Sequence, residues 1–167
     1  ELLWRSAGRP DPLADAATSD GLRDWATYCA LAERHGGRWS RWPEALRDVS
    51  GAAVASARRE LAPRLAFHAW VQQQCAAQLG SVRETAKASG MALGVLHDLA
   101  VGVDADGADA WALADVLATG VSIGAPPDNF TPRGQDWGLP PWRPDRLAAS
   151  GYAPLRDMLR AVLSHAD

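Results

Sequence analysis

The sequence predicts an α/β fold that is mostly helical over this stretch of 167 residues. Two patterns carry the reading. Through the first half, apolar residues recur at helical spacing between capping side chains and glycines. A short, almost wholly apolar run, Met91-Ala92-Leu93-Gly94-Val95-Leu96, then follows a long helix and Gly90, which makes one α/β repeat. A third observation sets the rest apart: residues 124–144 hold six of the eleven prolines together with Phe130, Trp137 and Trp142.

Taken in order, residues 1–17 carry Pro10 and Pro12 and read as an irregular linker. Thr18-Ser19-Asp20 supply capping side chains for a helix with Leu22, Trp25, Cys29 and Ala32 on one stripe, ended by Gly36-Gly37. Pro43 suits the first turn of a short helix through Leu46. Ser50 caps a further run through Leu61, and Pro63 forces a break or restart beside Ala62. A long helix follows with Phe67, Val71, Cys75 and Leu79 on its apolar face. Gly80 is its expected interruption, residues 81–89 add another helical turn or two, and Gly90 is the stop.

Residues 91–96 read as a buried parallel strand covered on both faces, because both of its sides are apolar. A turn over 104–107 and a short helix around 110–117 come next. Residues 124–144 exclude helix and central strand by proline density alone. A loop of about twenty residues inside a compact unit is usually functional or disordered, and its three aromatic rings favour function. Pro154 opens a last helix with Leu155, Met158, Leu159, Val162 and Leu163 on one stripe, expected to be buried. The chain thus divides into a linker over 1–17, a helical part over 18–89, and a strand, loop and helix over 90–167.

Composition narrows the partners. A net charge of -3 and a pI near 5.8 leave no basic stripe to neutralise phosphates, which argues against nucleic acid. No run approaches the ~20 apolar residues of a membrane span. Neither an initiator Met nor a charged-then-apolar leader begins the chain, so a cytoplasmic piece of something longer is expected. Cys29 and Cys75 read as buried free thiols of a reducing compartment. No Cys-x-x-Cys, His-Glu-x-x-His, Gly-x-Gly-x-x-Gly or P-loop spacing occurs, so neither a metal nor a cofactor is expected. The acidic run from Asp104 has calcium-loop spacing at its start only: Asp109 stands where the loop wants Gly, and Asp115 where it wants Glu.

Two places carry candidate chemistry. Asp98 closes the apolar run, where a carboxylate either binds sugar hydroxyls at a strand end or satisfies a local turn. The block Pro126-Pro127-Asp128-Asn129-Phe130 with Gly134-Gln135-Asp136-Trp137-Gly138 offers what a saccharide needs. Gln135 can donate and accept hydrogen bonds, Trp137 offers an aromatic plane, and Asp128 can grip hydroxyls. Residue types alone fit a bland turn around a buried Trp equally well. Eight Trp residues either fill the core or stack on sugar rings.

The spacing Ala125-Pro126-Pro127-Asp128 to Gly134-Gln135-x-Trp137-Gly138-x-Pro140 resembles the lid loop and acceptor-side segment of amylomaltases, the 4-α-glucanotransferases of glycoside hydrolase family 77. Weaker similarity covers Ala66-Phe67-His68-Ala69, His97-Asp98 and the stretch from Gly151-Tyr152 to His165. The resemblance implies part of a (β/α)8 TIM barrel with helical insertions, a single incomplete catalytic domain. It implies retaining transfer of α-1,4-glucan units between maltooligosaccharides, with the rest of its own catalytic domain as partner.

By that similarity Asp98 lies beside the cleaved linkage, Asp128, Asn129 and Phe130 belong to a loop over the substrate, and Gln135 and Trp137 bind acceptor sugar. The chain departs from the family at Asn129, often aromatic there, at Ala100, often Pro, and at Leu139, often polar. Retaining transfer needs two carboxyl groups about 5–5.5 Å apart. The family's nucleophile stands in an Arg-x-Asp-His strand expected beyond Asp167, so no catalytic residue is assigned in this segment. The alternatives are an α-amylase-type hydrolase fragment and a non-catalytic helical carbohydrate-binding or interaction module.

Overall fold

The computed structural model describes residues 1–16, 18–100 and 102–167. Ala17, the expected end of the irregular N-terminal stretch, lies outside them. The architecture is mostly helical, with one small two-stranded antiparallel sheet among the described residues.

The irregular reading of the N-terminus is corrected. Helix α1, Leu2–Ser6, places Trp4 in the interior, where its ring meets Phe67 edge-on and its Nε1 donates to the Pro10 carbonyl at 3.0 Å. The buried indole, with the Glu1 carboxylate 3.6 Å from the Arg64 guanidinium, docks residues that have no helical periodicity of their own. Helix α2, Asp20–His35, begins as expected, with the Ser19 hydroxyl accepting from the Leu22 amide. The chain then makes two 3-10 turns, Trp39–Arg41 and Glu44–Leu46, before α3, Ala52–Glu60. Ser50 does not cap α3; its amide and hydroxyl both turn back to Asp48, and Gly51 takes the cap position.

Leu61 is the break between α3 and α4, Ala62–Ala88, and Pro63 sits in the first turn of α4, where a missing N–H is harmless. Gly80 does not interrupt α4. A lone glycine costs a helix about 1 kcal/mol, which a 27-residue helix absorbs. Gly90 then ends it in the left-handed conformation.

The core lies where α2, α3 and α4 converge. Ala26, Ala30 and Leu31 of α2 meet Val54 of α3 and Leu61, Leu65 and Ala69 around α4. Trp42 and Trp111 fill the space between, their rings 5.8 Å apart, and Trp111 is fully buried with its Nε1 on the Leu46 carbonyl at 3.0 Å. Trp111 belongs to α5, Ala108–Ala112, which is shorter than the helix expected there. The acidic turn ahead of α5 is pinned from the α2 side, the Trp39 Nε1 donating to the Ala105 carbonyl and the Tyr28 hydroxyl to that of Asp106. Three of the eight Trp residues, Trp4, Trp42 and Trp111, are therefore buried. Cys29 is half-buried, and burial pushes its thiol up to about 11; Cys75, expected to be buried, is exposed.

Residues 91–96 do not form a strand. Met91, Leu93 and Leu96 are exposed, and no ladder partner runs beside them among the described residues. An apolar run can be extended by its own preferences, but a strand also needs a second backbone to bond with. Strand does form where proline density argued against it: β1, Ile123–Ala125, pairs antiparallel with β2, Gln135–Leu139. The prolines fall on either side of β2 rather than within it.

Helices α6, Pro144–Ala149, and α7, Ala153–Leu163, complete the chain. The stripe of α7 is not buried as expected: Leu159 and Leu163 stay exposed on it. No helix is long and apolar enough to cross a membrane, and no cluster of three or more His, Cys, Asp or Glu could hold a metal ion, both among the described residues.

Candidate functional site

The β1–β2 hairpin gathers five of the six residues singled out from sequence. Asp128, Asn129 and Phe130 lie in the connection, and Gln135 and Trp137 on β2. The hairpin is anchored at its base: the Ala118 amide donates to the Pro141 carbonyl and the Arg143 amide to that of Val116, each at 2.8 Å, flanking a bridge between Leu117 and Trp142.

The connection is shaped by Asp128. Its Oδ1 accepts from the Phe130 amide at 2.8 Å, the Thr131 amide at 2.6 Å and the Thr131 hydroxyl at 2.7 Å. These donors, the Thr131 hydroxyl foremost, hold the carboxyl below the usual range. The other oxygen, Oδ2, has no partner among the described residues. The tight turn lifts Phe130 clear of the protein, 94% exposed, with Asn129 exposed beside it.

Trp137 is displaced from the ladder by a bulge. Gly124 pairs with Asp136 and Ile123 with Leu139, so Trp137 and Gly138 stand between paired positions. Gly138 adopts φ +67 there. Asp136 closes the bulge, its Oδ1 accepting from the Gly138 amide at 2.9 Å and from the Ser122 hydroxyl across the hairpin. Those two donors, Ser122 first, keep its carboxyl low. On the facing strand only glycine fits at position 124, because a Cβ there would fall inside the Gln135 carbonyl oxygen. The outcome is a Trp137 ring 42% exposed, its Nε1 donating to the Gln135 Oε1 at 2.9 Å. Ser122, Thr131 and Asp136 were not singled out from sequence. The signals are short-range pairs, Asp128 with Thr131 and Asp136 with Gly138, plus one partner 14 residues back at Ser122.

Asp98 arrives separately. It is exposed, and among the described residues no hydrogen bond or ion pair engages it or joins it to the hairpin residues. The chain that follows does reach the hairpin base: Ala100, Gly102 and Val103 line a cavity of about 20 Å³ with Ile123 and Pro140. A Cβ on Gly102 would lie 3.1 Å from that of Leu139, so the approach is close. His97, beside Asp98, has its Nε2 buried without a hydrogen-bond partner.

Residues 15–167 match the family described as 4-alpha-glucanotransferase. The chain belongs to that family. A 4-alpha-glucanotransferase of Mycobacterium tuberculosis is 52% identical over 164 residues, covering 97% of this chain and 23% of the relative. A 4-alpha-glucanotransferase of Thermus thermophilus is 36% identical over 139 residues, covering 79% of this chain and 27% of the relative. The amylomaltase of Corynebacterium glutamicum has the same fold over 89% of this chain and 19% of its own length, at a TM-score of 0.70 and 42% identity. An amylomaltase from Streptococcus agalactiae in complex with acarbose superposes at a TM-score of 0.75 over 87% of this chain, at 22% identity, which speaks to fold. The chain therefore spans about a quarter of the length of the curated 4-alpha-glucanotransferases it matches.

Proposed function

We propose that this chain is the part of a cytoplasmic 4-α-glucanotransferase that presents the sugar-covering loop and part of the acceptor site. The observation that carries the proposal is the bulge that leaves Trp137 exposed and hydrogen-bonded to Gln135, inside the matched stretch. An exposed indole beside a side-chain amide is the usual pairing for a saccharide, an aromatic plane under the ring and a directional group at its edge.

In this reading Gln135 and Trp137 hold acceptor sugar. Phe130 and Asn129 close over the glucan, and Asp128 shapes the loop with Oδ1 while Oδ2 remains for a hydroxyl. Asp98 stands beside the cleaved linkage. The chain contributes to a (β/α)8 barrel, residues 18–89 as helical insertion and barrel helices, and residues 90–167 as lid and helix, with 91–96 becoming a strand where the rest of the barrel supplies the ladder partner it lacks here. The exposed apolar face of residues 91–96 supports this, since a parallel barrel strand is covered on both sides. Transfer proceeds with retention, and the two carboxyls that carry it belong to the part of the enzyme outside the matched stretch.

The experiment gives the full-length protein maltotriose alone. Transfer predicts glucose together with chains longer than maltotriose. Maltose and glucose without longer products would identify a hydrolase and remove the proposal.

A further inference from the structure

The Gln135 amide is nearly symmetric in shape and could present either its oxygen or its nitrogen to a ligand. The indole N–H of Trp137 removes the choice, because it donates and never accepts. It sits 2.9 Å from Oε1, so Nε2 is the end left over. Among the described residues that Nε2 has no partner, and Gln135 is exposed. The indole is itself restrained by the bulge, which Asp136 ties to Gly138 and Ser122.

We propose that Trp137 is a positioning residue for Gln135 in addition to a stacking plane. The ring takes one lone pair of Oε1 and fixes the amide so that Gln135 keeps its Nε2 donors for the ligand, and the atom they meet on the acceptor sugar is a hydroxyl oxygen used as an acceptor. The inference rests on the acceptor-site reading above, and it adds a polarity that stacking alone does not supply.

The test measures the Michaelis constant for glucose as acceptor in the full-length protein, with maltotriose as donor. Trp137→Phe keeps an aromatic plane and deletes the N–H. It is expected to raise the acceptor constant about three- to tenfold with kcat little changed, the size of one hydrogen bond's orientation. Gln135→Glu keeps an acceptor for the indole and replaces the outward donors with an oxygen, so it is expected to raise the constant at least as much. In the double variant Trp137→Phe/Gln135→Ala the loss should not exceed that of Gln135→Ala alone, because the ring's added effect runs through the amide.

A wild-type acceptor constant in Trp137→Phe, or in Gln135→Glu, would overturn the inference. So would multiplicative losses in the double variant. Trp137→Ala separates the two levels: if it binds glucose as the wild type does, the acceptor-site reading itself fails. If it loses acceptor binding while Trp137→Phe does not, only the positioning role falls.

Discussion

Gly138 and Gly124 are both glycines of the hairpin, and they are constrained by different physics. At Gly138 a Cβ would meet nothing within 4 Å, but the backbone stands at φ +67. Alanine there is expected to cost roughly 1–2 kcal/mol from the left-handed conformation alone, read as a lower urea midpoint with the hairpin still formed. At Gly124 a Cβ would collide with the Gln135 carbonyl, so alanine should open the ladder itself and release Trp137. Equal effects of the two substitutions would contradict this. Gln135 and Trp137 were singled out from sequence through the family resemblance of their spacing, residue type alone fitting a bland turn equally well. Asp136 was not, because its role depends on Ser122 across the hairpin and on a bulge that no local pattern announces.

Helices α2 and α4 meet through a charged seam on the outside of the core. Glu33 accepts from Arg64 Nε at 2.8 Å and from Arg64 Nη2 at 2.5 Å, and His68 Nε2 lies 3.1 Å from the same carboxylate. Burial, the largest influence on the His68 ring, holds its pKa below the ordinary 6.5, outweighing the nearby Glu33. The folded ring therefore resists a proton that the unfolded chain accepts. Its contribution to stability is complete above 6.5 and is lost as pH falls below that value. Glu33, held low chiefly by the Arg64 hydrogen bond, adds a second loss below 4.5. Urea midpoints measured against pH should fall in two stages, and His68→Gln should remove the upper stage while leaving the lower. An unchanged upper stage would refute the assignment.

Element boundaries followed local chemistry where one residue decides them: the Ser19 cap, the restart at Pro63 and the stop at Gly90. They failed where a second segment decides them. Residues 91–96 have the composition of a strand and no ladder partner, whereas 135–139 form a strand inside a proline-dense region because 123–125 is there to bond with it.

At the scale of the whole molecule, the packed core and the hairpin proposed to bind sugar occupy different places. The core is a helical meeting point filled by Trp42 and Trp111, while the hairpin hangs outside it, tied on by backbone bonds to residues 116–118. Apolar surface remains open on residues 91–96 and along α7, as expected of a chain that spans about a quarter of its relatives' length. The family was legible because the hairpin is local in sequence. The helical core was legible only as periodicity, since the aromatic packing that closes it joins residues far apart, Trp42 with Trp111.

In the proposed function Trp137 is the indole that meets sugar, whereas Trp42 and Trp111 are buried in the core. Fluorine NMR of the fluorotryptophan-labelled full-length protein, with Trp137→Phe to assign the signal, tests this directly. Addition of maltotriose should shift the Trp137 resonance and leave those of Trp42 and Trp111 in place. A Trp137 resonance unmoved at saturating maltotriose would contradict the account.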